Sequence, residues 1–368
     1  MEVSICVEEQ SEQSFKAPPT DRTSTLSSSA PLSSTISSSR KTPVRKNNRT
    51  IPKNTALVLI TPRLSQSQYI QTIIKDIIKA NKIEILSEGC IDSKVISERN
   101  IFEKYFSAIT ESAVQISAQN LQLKLKLETN IVFQKIFDCQ WESAVSNGEV
   151  FNANEACDVL DVDMFGLATL WGEAEKAGKV VCLDRGVYCG LISTPSSEKR
   201  VLCLNGFYGA MREEYVAPEA VVHYMELEWE ESSLSWRNYL RRVVGRRDAG
   251  TDEEWEGSIR GMLSRDWETL GLDRDPNQDE NDDLSAIQIS TSAFESLAQR
   301  YIWLDRCLSL DLFGAQLLSA GLSLNALQNW CCNPRVNDGE RVFTFMDDCG
   351  SKRCLAITKL LINQHSSV

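Results

Sequence analysis

Residues 285–304 read SAIQISTSAFESLAQRYIWL, which is expected to form a strand over about 285–290 and then a helix from Ser292 to Leu304. Upstream, VVGRRDAGTDEEWEGSIRG (243–261) carries an apolar run to Gly245 and leads through a long loop into Ser258-Ile259-Arg260-Gly261. The stretch between is acidic and broken by Gly271 and Pro276. Before it, SWRNYLRRVVG (235–245) has helical spacing. VVHYMELEW (221–229) alternates, placing Val221, His223, Met225, Leu227 and Trp229 on one face. His223 therefore reads as a packed strand residue rather than a catalytic one.

The folded part begins at TALVLIT (55–61), an apolar run with the length of a buried strand. A helix follows from about Ser67 to Asn81, in which Tyr69, Ile70, Ile73, Ile74, Ile77 and Ile78 recur three and four apart. A strand at about 83–90 comes next. A helix at about 93–109 then carries Ile96, Ile101, Phe102, Tyr105 and Phe106 on one side, so the order is β-α-β-α. Between about 110 and 200 the pattern is less regular, with a helix at about 161–177 and two strand-like runs around Asp184-Arg185-Gly186, a hairpin turn. Gly172 to Lys179 superficially suggests a phosphate-binding loop. It has one residue too many, ends in Val180 instead of Ser or Thr, and lies on a helical pattern, so it is rejected.

These patches together resemble nucleoside diphosphate kinase. ALVLITPRL stands where that family has its first strand and a Lys-Pro-Asp, and the helix ending Glu103-Lys104-Tyr105 is similar to one ending in His-Tyr. VVGRRDAGTDEEWEGSIRG resembles the family's glycine-ended strand and loop into Thr-Ile-Arg-Gly, and SAIQISTSAFESLAQRYIWL its strand, catalytic turn and helix. The resemblance covers about 55–109 and 201–304. It implies an α+β fold: a ferredoxin-like domain whose antiparallel four-stranded sheet has helices on one face, here with an inserted α/β segment and a C-terminal helical and strand extension. The implied organisation is a disordered Ser/Thr-rich basic tail (1–54), the kinase-like domain (55–304, insertion about 110–200), and an extension packed on it (305–368).

The family's chemistry is ping-pong phosphoryl transfer through a histidine, which is neutral and nucleophilic near pH 7. The matched position falls on Gln288, or on Ile289 if the gap is placed one residue later. Neither has a free lone pair for attack, because an amide nitrogen is delocalised and an alkyl group has none. The resemblance implies phosphate-binding roles for Arg241 and Arg260 and a supporting role for Tyr105; the plainer reading leaves both arginines as surface residues. The family's lysine becomes Thr61 before Pro62-Arg63, its phosphate-binding threonine becomes Arg247, and the glutamate that supports the histidine becomes Arg300. Arg63 and Arg247 are candidates to compensate as phosphate binders. Asp252, Glu253, Glu254, Glu256 and the acids at 279–283 oppose an anionic ligand, so any ATP or ADP affinity is expected to be modest or to depend on Mg²⁺.

A net charge of −12 over 368 residues argues against a general nucleic-acid binder. Arg40, Lys41, Arg45, Lys46, Arg49 and Lys53 nonetheless crowd one stretch that reads as a solvated basic tail. No apolar run approaches the roughly 18 residues of a membrane span, and no signal-peptide order opens the chain, so a cytoplasmic location is expected. The 12 cysteines are scattered and expected to be reduced, and Cys331, Cys332, Cys349 and Cys354 lack the spacing of a zinc site. Two functions stay open. One is an inactive kinase-like module that senses nucleotide or binds a protein partner; the other is an active phosphotransferase or nucleotide hydrolase with a different nucleophile.

Overall fold

The computed structural model describes residues 53–121, 123–193, 199–246, 252–271, 286–336 and 339–365. The tail through Pro52, Arg247 and the acids at 279–283 lie outside the described residues. Strand β1 (Lys53–Ile60) starts two residues inside the stretch expected to be tail. Lys53 pairs with Glu228 on a neighbouring strand, and buried Asn54 accepts a hydrogen bond from Trp236 Nε1 at 3.1 Å, so both residues belong to the domain.

Helix α1 (Gln68–Ala80) is capped by the Ser67 hydroxyl and buries Ile70, Ile74 and Ile78 along one stripe. Strand β2 (Glu84–Asp92) follows. The single helix expected over about 93–109 is three short ones, α2 (Ser93–Glu98), α3 (Ile101–Tyr105) and α4 (Ser107–Thr110), running into a wide turn at Glu111–Gln115. Asn100 breaks the run at φ +50°, a left-handed conformation that asparagine tolerates better than most residues.

The insertion contains α5 (Leu127–Phe137), α6 (Trp141–Ser146), β3 (Val150–Phe151), α7 (Ala153–Leu160) and α8 (Met164–Lys176). Strands β4 (Val180–Asp184), β5 (Val187–Ile192) and β6 (Val201–Leu204) complete a second sheet of order β3-β6-β5-β4, in which only β3 and β6 run parallel. This sheet runs past residue 200, the bound expected for an insertion. The VLCL of β6 is fully buried and sits inside this second sheet instead of resuming the first.

Helix α9 (Tyr208–Val216) leads to β7 (Val221–Glu230), then to α10 (Trp236–Tyr239) and a second wide turn, Leu240–Val244. Helices α11 (Asp252–Glu256) and α12 (Ile259–Asp266) precede β8 (Ile287–Ile289) and α13 (Ala293–Leu304). The extension holds α14 (Leu312–Ser319), α15 (Leu324–Cys331), β9 (Arg335–Val336), β10 (Glu340–Arg341), α16 (Val342–Met346) and α17 (Ser351–His365). The protein is α+β. Among the described residues no helix is long and apolar enough to cross a membrane.

The first sheet has the order β2-β7-β1-β8 with every pairing antiparallel. Helices on one face alone do not describe it. Ala56, Val58 and Ile60 of β1 enter a core with Ile70, Ile74, Met225, Ile289 and Phe294, whereas Leu57 and Leu59 enter another with Phe102, Trp171, Tyr208 and Trp303. Successive strand residues point to opposite faces, so β1 is buried on both sides and reads as a continuous apolar run. Leu317, Leu327, Trp330, Val342 and Met346 of the extension lie in the first of these cores. Leu312, on the same helix as Leu317, is 82% exposed.

Candidate functional site

Strand β8 pairs with β1 so that Gln288 stands opposite Leu59. Its neighbours Ile287 and Ile289 turn into the apolar core that holds Val58, which sends the Gln288 side chain to the other face. There the Tyr105 hydroxyl at the end of α3 donates to Gln288 Oε1 at 3.4 Å, and Gln299 Nε2 on α13 donates to that hydroxyl at 3.0 Å. Of the two candidates for the nucleophile position, the structure thus brings Gln288, not Ile289, to Tyr105. Gln299 rather than Arg300 stands beside them. One residue along a helix turns a side chain by about 100°, and Arg300 points away to an ion pair of 2.6 Å with Asp311.

The network continues inward. Gln299 Oε1 accepts from Ser290 Oγ at 2.5 Å, and Ser290 Oγ accepts from Leu57 N at 2.8 Å. Glu295 lies one turn before Gln299, with its Oε1 3.4 Å from Gln299 Nε2 and its Oε2 accepting from Thr291 N at 3.0 Å. Arg185 Nη2 reaches within 3.7 Å of Glu295 Oε1 from the β4–β5 turn. Burial pushes the Glu295 carboxyl above its ordinary value, opposed by Arg185 and by the Thr291 hydrogen bonds. Glu295 was missed as a site residue. The signal was present, because Ser292 caps α13 and Ser292-x-x-Glu295 has capping-box spacing.

Glu295 also sets a pH dependence. A carboxyl raised in the folded state keeps its proton where the unfolded chain has lost it, so the folded state binds more protons in that window and stability falls as pH rises. The loss starts near the ordinary value of 4.5 and is complete above the raised one. Glu295→Gln is expected to lack this component. Denaturant unfolding of both proteins from about pH 4 to 8 should show the variant gaining on the wild type as pH rises; a constant difference would contradict the assignment.

The arginines separate into two groups. Arg260 is the second residue of α12, behind the Ser258 cap, and a Cβ on the following Gly261 would lie 1.8 Å from Trp255 O, so only glycine fits there. Burial, then Arg246 and Arg185, lower Arg260 to about 10, with Glu295 and Asp347 acting in the opposite sense. Arg246 Nη1 pairs with Asp347 Oδ2 of the extension at 3.2 Å. Arg185, Arg246, Arg260, Glu295 and Asp347 therefore form one charge cluster drawn from the insertion, the central domain and the extension. Arg241 is instead held by Glu254 of α11 at 2.7 Å, which also takes Arg242 at 3.2 Å. Arg63 pairs with Glu214 at 3.0 Å.

The cavity beside this network is about 20 Å³, lined by Tyr105, Phe106, Ile109, Arg185, Glu295 and Phe343 among others. That is room for about one water, against the roughly 300–1,000 Å³ of pockets that take small-molecule ligands. Asn205 holds Arg185's turn in place. Its Nδ2, with two N–H groups, has three acceptors in reach, Gly186 O at 2.9 Å, Ser112 Oγ at 2.8 Å and Ile109 O at 3.2 Å, and its Oδ1 accepts from Tyr188 N at 2.8 Å. On the extension side, Arg335 pairs with Asp184 of the same turn at 3.0 Å. No group of three or more His, Cys, Asp or Glu among the described residues is placed to hold a metal ion. In comparison with known proteins, the chain matches no family model, no curated protein and no solved structure.

Proposed function

We propose that the chain is a nucleoside diphosphate kinase-like domain of ferredoxin-like topology that does not transfer phosphate and works as an interaction module. The antiparallel sheet order β2-β7-β1-β8, in which the strands stand second, third, first and fourth among their own, supports the topology. The meeting of Gln288, Tyr105 and Gln299 also fits this reading, in which they stand for the family's nucleophile, supporting tyrosine and supporting carboxylate. One observation carries the functional reading: at the nucleophile position an amide is tied into a buried network beside a cavity of about 20 Å³. A primary amide there neither attacks phosphorus nor carries a phosphoryl group.

The interaction role draws on the material added to the domain. Helix α5 of the insertion leaves Leu127 72% and Ile131 58% exposed one turn apart, an apolar face of the kind that partners cover. Residual nucleotide affinity, brought with Mg²⁺ on the phosphates, would run through the two family-matched arginines, Arg241 and Arg260, the latter with Arg185 and Arg246 close by. The acids Glu295 and Asp347 beside Arg260 keep it weak.

Calorimetric titration with Mg·ATP and Mg·ADP tests this. Arg260→Ala is expected to weaken binding by roughly tenfold to a hundredfold, the loss of one charge-assisted contact of about 1.5–3 kcal/mol. Gln288→Ala should leave it unchanged. Wild-type binding that Arg260→Ala does not alter would place the nucleotide elsewhere and end the assignment of Arg260.

A further inference from the structure

A separate polar cluster stands on β2, which among the described residues is an edge strand paired only with β7. Cys90 lies directly opposite His223 in that ladder. Cys90 is exposed, while His223 is buried behind it. Cys90 Sγ lies 3.6 Å from His223 Nδ1, and His223 Nε2 lies 3.2 Å from Glu88 Oε1. Glu88 is two residues before Cys90 and so on the same face of the strand. Lys75 of α1 approaches the same carboxylate oxygen at 2.6 Å.

The two ring nitrogens face different partners in opposite directions, so thiol and carboxylate cannot close on one metal ion. They bracket the imidazole as a proton relay instead. The Glu88 carboxylate, a charge contact at 3.2 Å rather than an aligned hydrogen bond, favours the tautomer with its proton on Nε2, which leaves the Nδ1 lone pair for the thiol. Burial favours the neutral ring, Lys75 acts in the same sense, and Glu88 opposes them. We propose that Cys90, His223 and Glu88 form a base-assisted thiol site at which Cys90 exchanges with small-molecule disulfides and is reversibly held as a mixed disulfide.

In this exchange the Cys90 S–H proton passes to His223 Nδ1 and the sulfur attacks one sulfur of R–S–S–R. The new S–S bond forms as the old one breaks, and the leaving RS⁻ takes the proton back from the imidazolium. Cys90 is oxidised and the disulfide reduced to one thiol, so no other reactant is needed. A disulfide is the class that fits, because this displacement needs a thiolate and access but builds no tetrahedral oxyanion requiring a row of donors.

Cys182 and Cys307 are also exposed and serve as internal comparators. Cys307 is the demanding one, since hydrogen bonds from Ser309 hold its thiol below the ordinary value. The full chain would be incubated with oxidised glutathione near neutral pH, quenched at intervals and mapped by mass spectrometry. Cys90 is expected to form its mixed disulfide about tenfold faster than Cys182 or Cys307. Glu88→Gln and His223→Gln should bring it down to the Cys182 rate, with unfolding curves confirming that each variant is folded. Glu88 is a surface residue, so E88Q decides the matter if H223Q does not fold. A Cys90 rate no higher than that of either comparator, or one that E88Q leaves unchanged, overturns the proposal.

Discussion

A chain ending at residue 304 is expected to lose cooperative folding. Residues 305–368 supply Leu308, Leu317, Leu327, Trp330, Val342, Met346 and Leu361 to the same core as Val58, Ile70 and Phe294. Each large side chain is worth roughly 1.5–3 kcal/mol when buried, so removing this set exceeds the roughly 5–15 kcal/mol net stability of a typical domain. Truncation would also strip Asp311 from the buried guanidinium of Arg300 and Asp347 from Arg246. The check is circular dichroism with denaturant titration on the truncated and full chains. A truncated chain that is soluble and unfolds in one sharp transition would show that the extension is dispensable.

The second large effect is expected at Asn205. Its side chain joins four buried groups: the carbonyls of Gly186 and Ile109, the Ser112 hydroxyl and the Tyr188 amide. Ser112 Oγ and Ile109 O keep a hydrogen bond of their own, so Asn205→Ala leaves the Tyr188 amide and the Gly186 carbonyl without this partner, at about 1–3 kcal/mol for each group that water does not reach, and a total near 3–5 kcal/mol is expected with the backbone strain. Asn205 also sits at φ +46°, where alanine is strained and glycine is not. Asn205→Gly therefore separates the terms, since it keeps the backbone conformation and removes the hydrogen bonds, at a further ~0.5–1 kcal/mol for the freer unfolded chain. Both variants should loosen the turn that carries Arg185, which a shift in the pH dependence due to Glu295 would reveal. A loss below about 1 kcal/mol in both would mean that the turn is held by other contacts.

The strongly apolar segments were legible from the residues. TALVLIT as a continuous apolar run, the isoleucines of α1 at helical spacing and the run from Ser292 to Leu304 each lie close to their expected bounds. Local pattern did not reveal the break at Asn100, because a left-handed residue costs little in asparagine and the apolar spacing continues past it. Nor did it show VLCL to be the inside of a second sheet, since four apolar residues fit any buried strand. At the site, Tyr105 and the choice of Gln288 or Ile289 could be named in advance, but the sequence placed Arg300 beside them where the phase of α13 brings Gln299. Arg185 was beyond reach altogether. It meets Glu295 across 110 positions of sequence, through a turn whose placement depends on Asn205 and Arg335.

The central claim is that a network has closed over a position that holds an amide where the kinase mechanism needs an imidazole. Incubation of the full chain with γ-labelled ATP and a nucleoside diphosphate measures this directly, through label transferred to the diphosphate and acid-labile label kept on the protein. Background transfer and no acid-labile phosphoprotein are expected, for wild type and for Gln288→Ala alike. Transfer above background that disappears in Gln288→Ala would contradict the account.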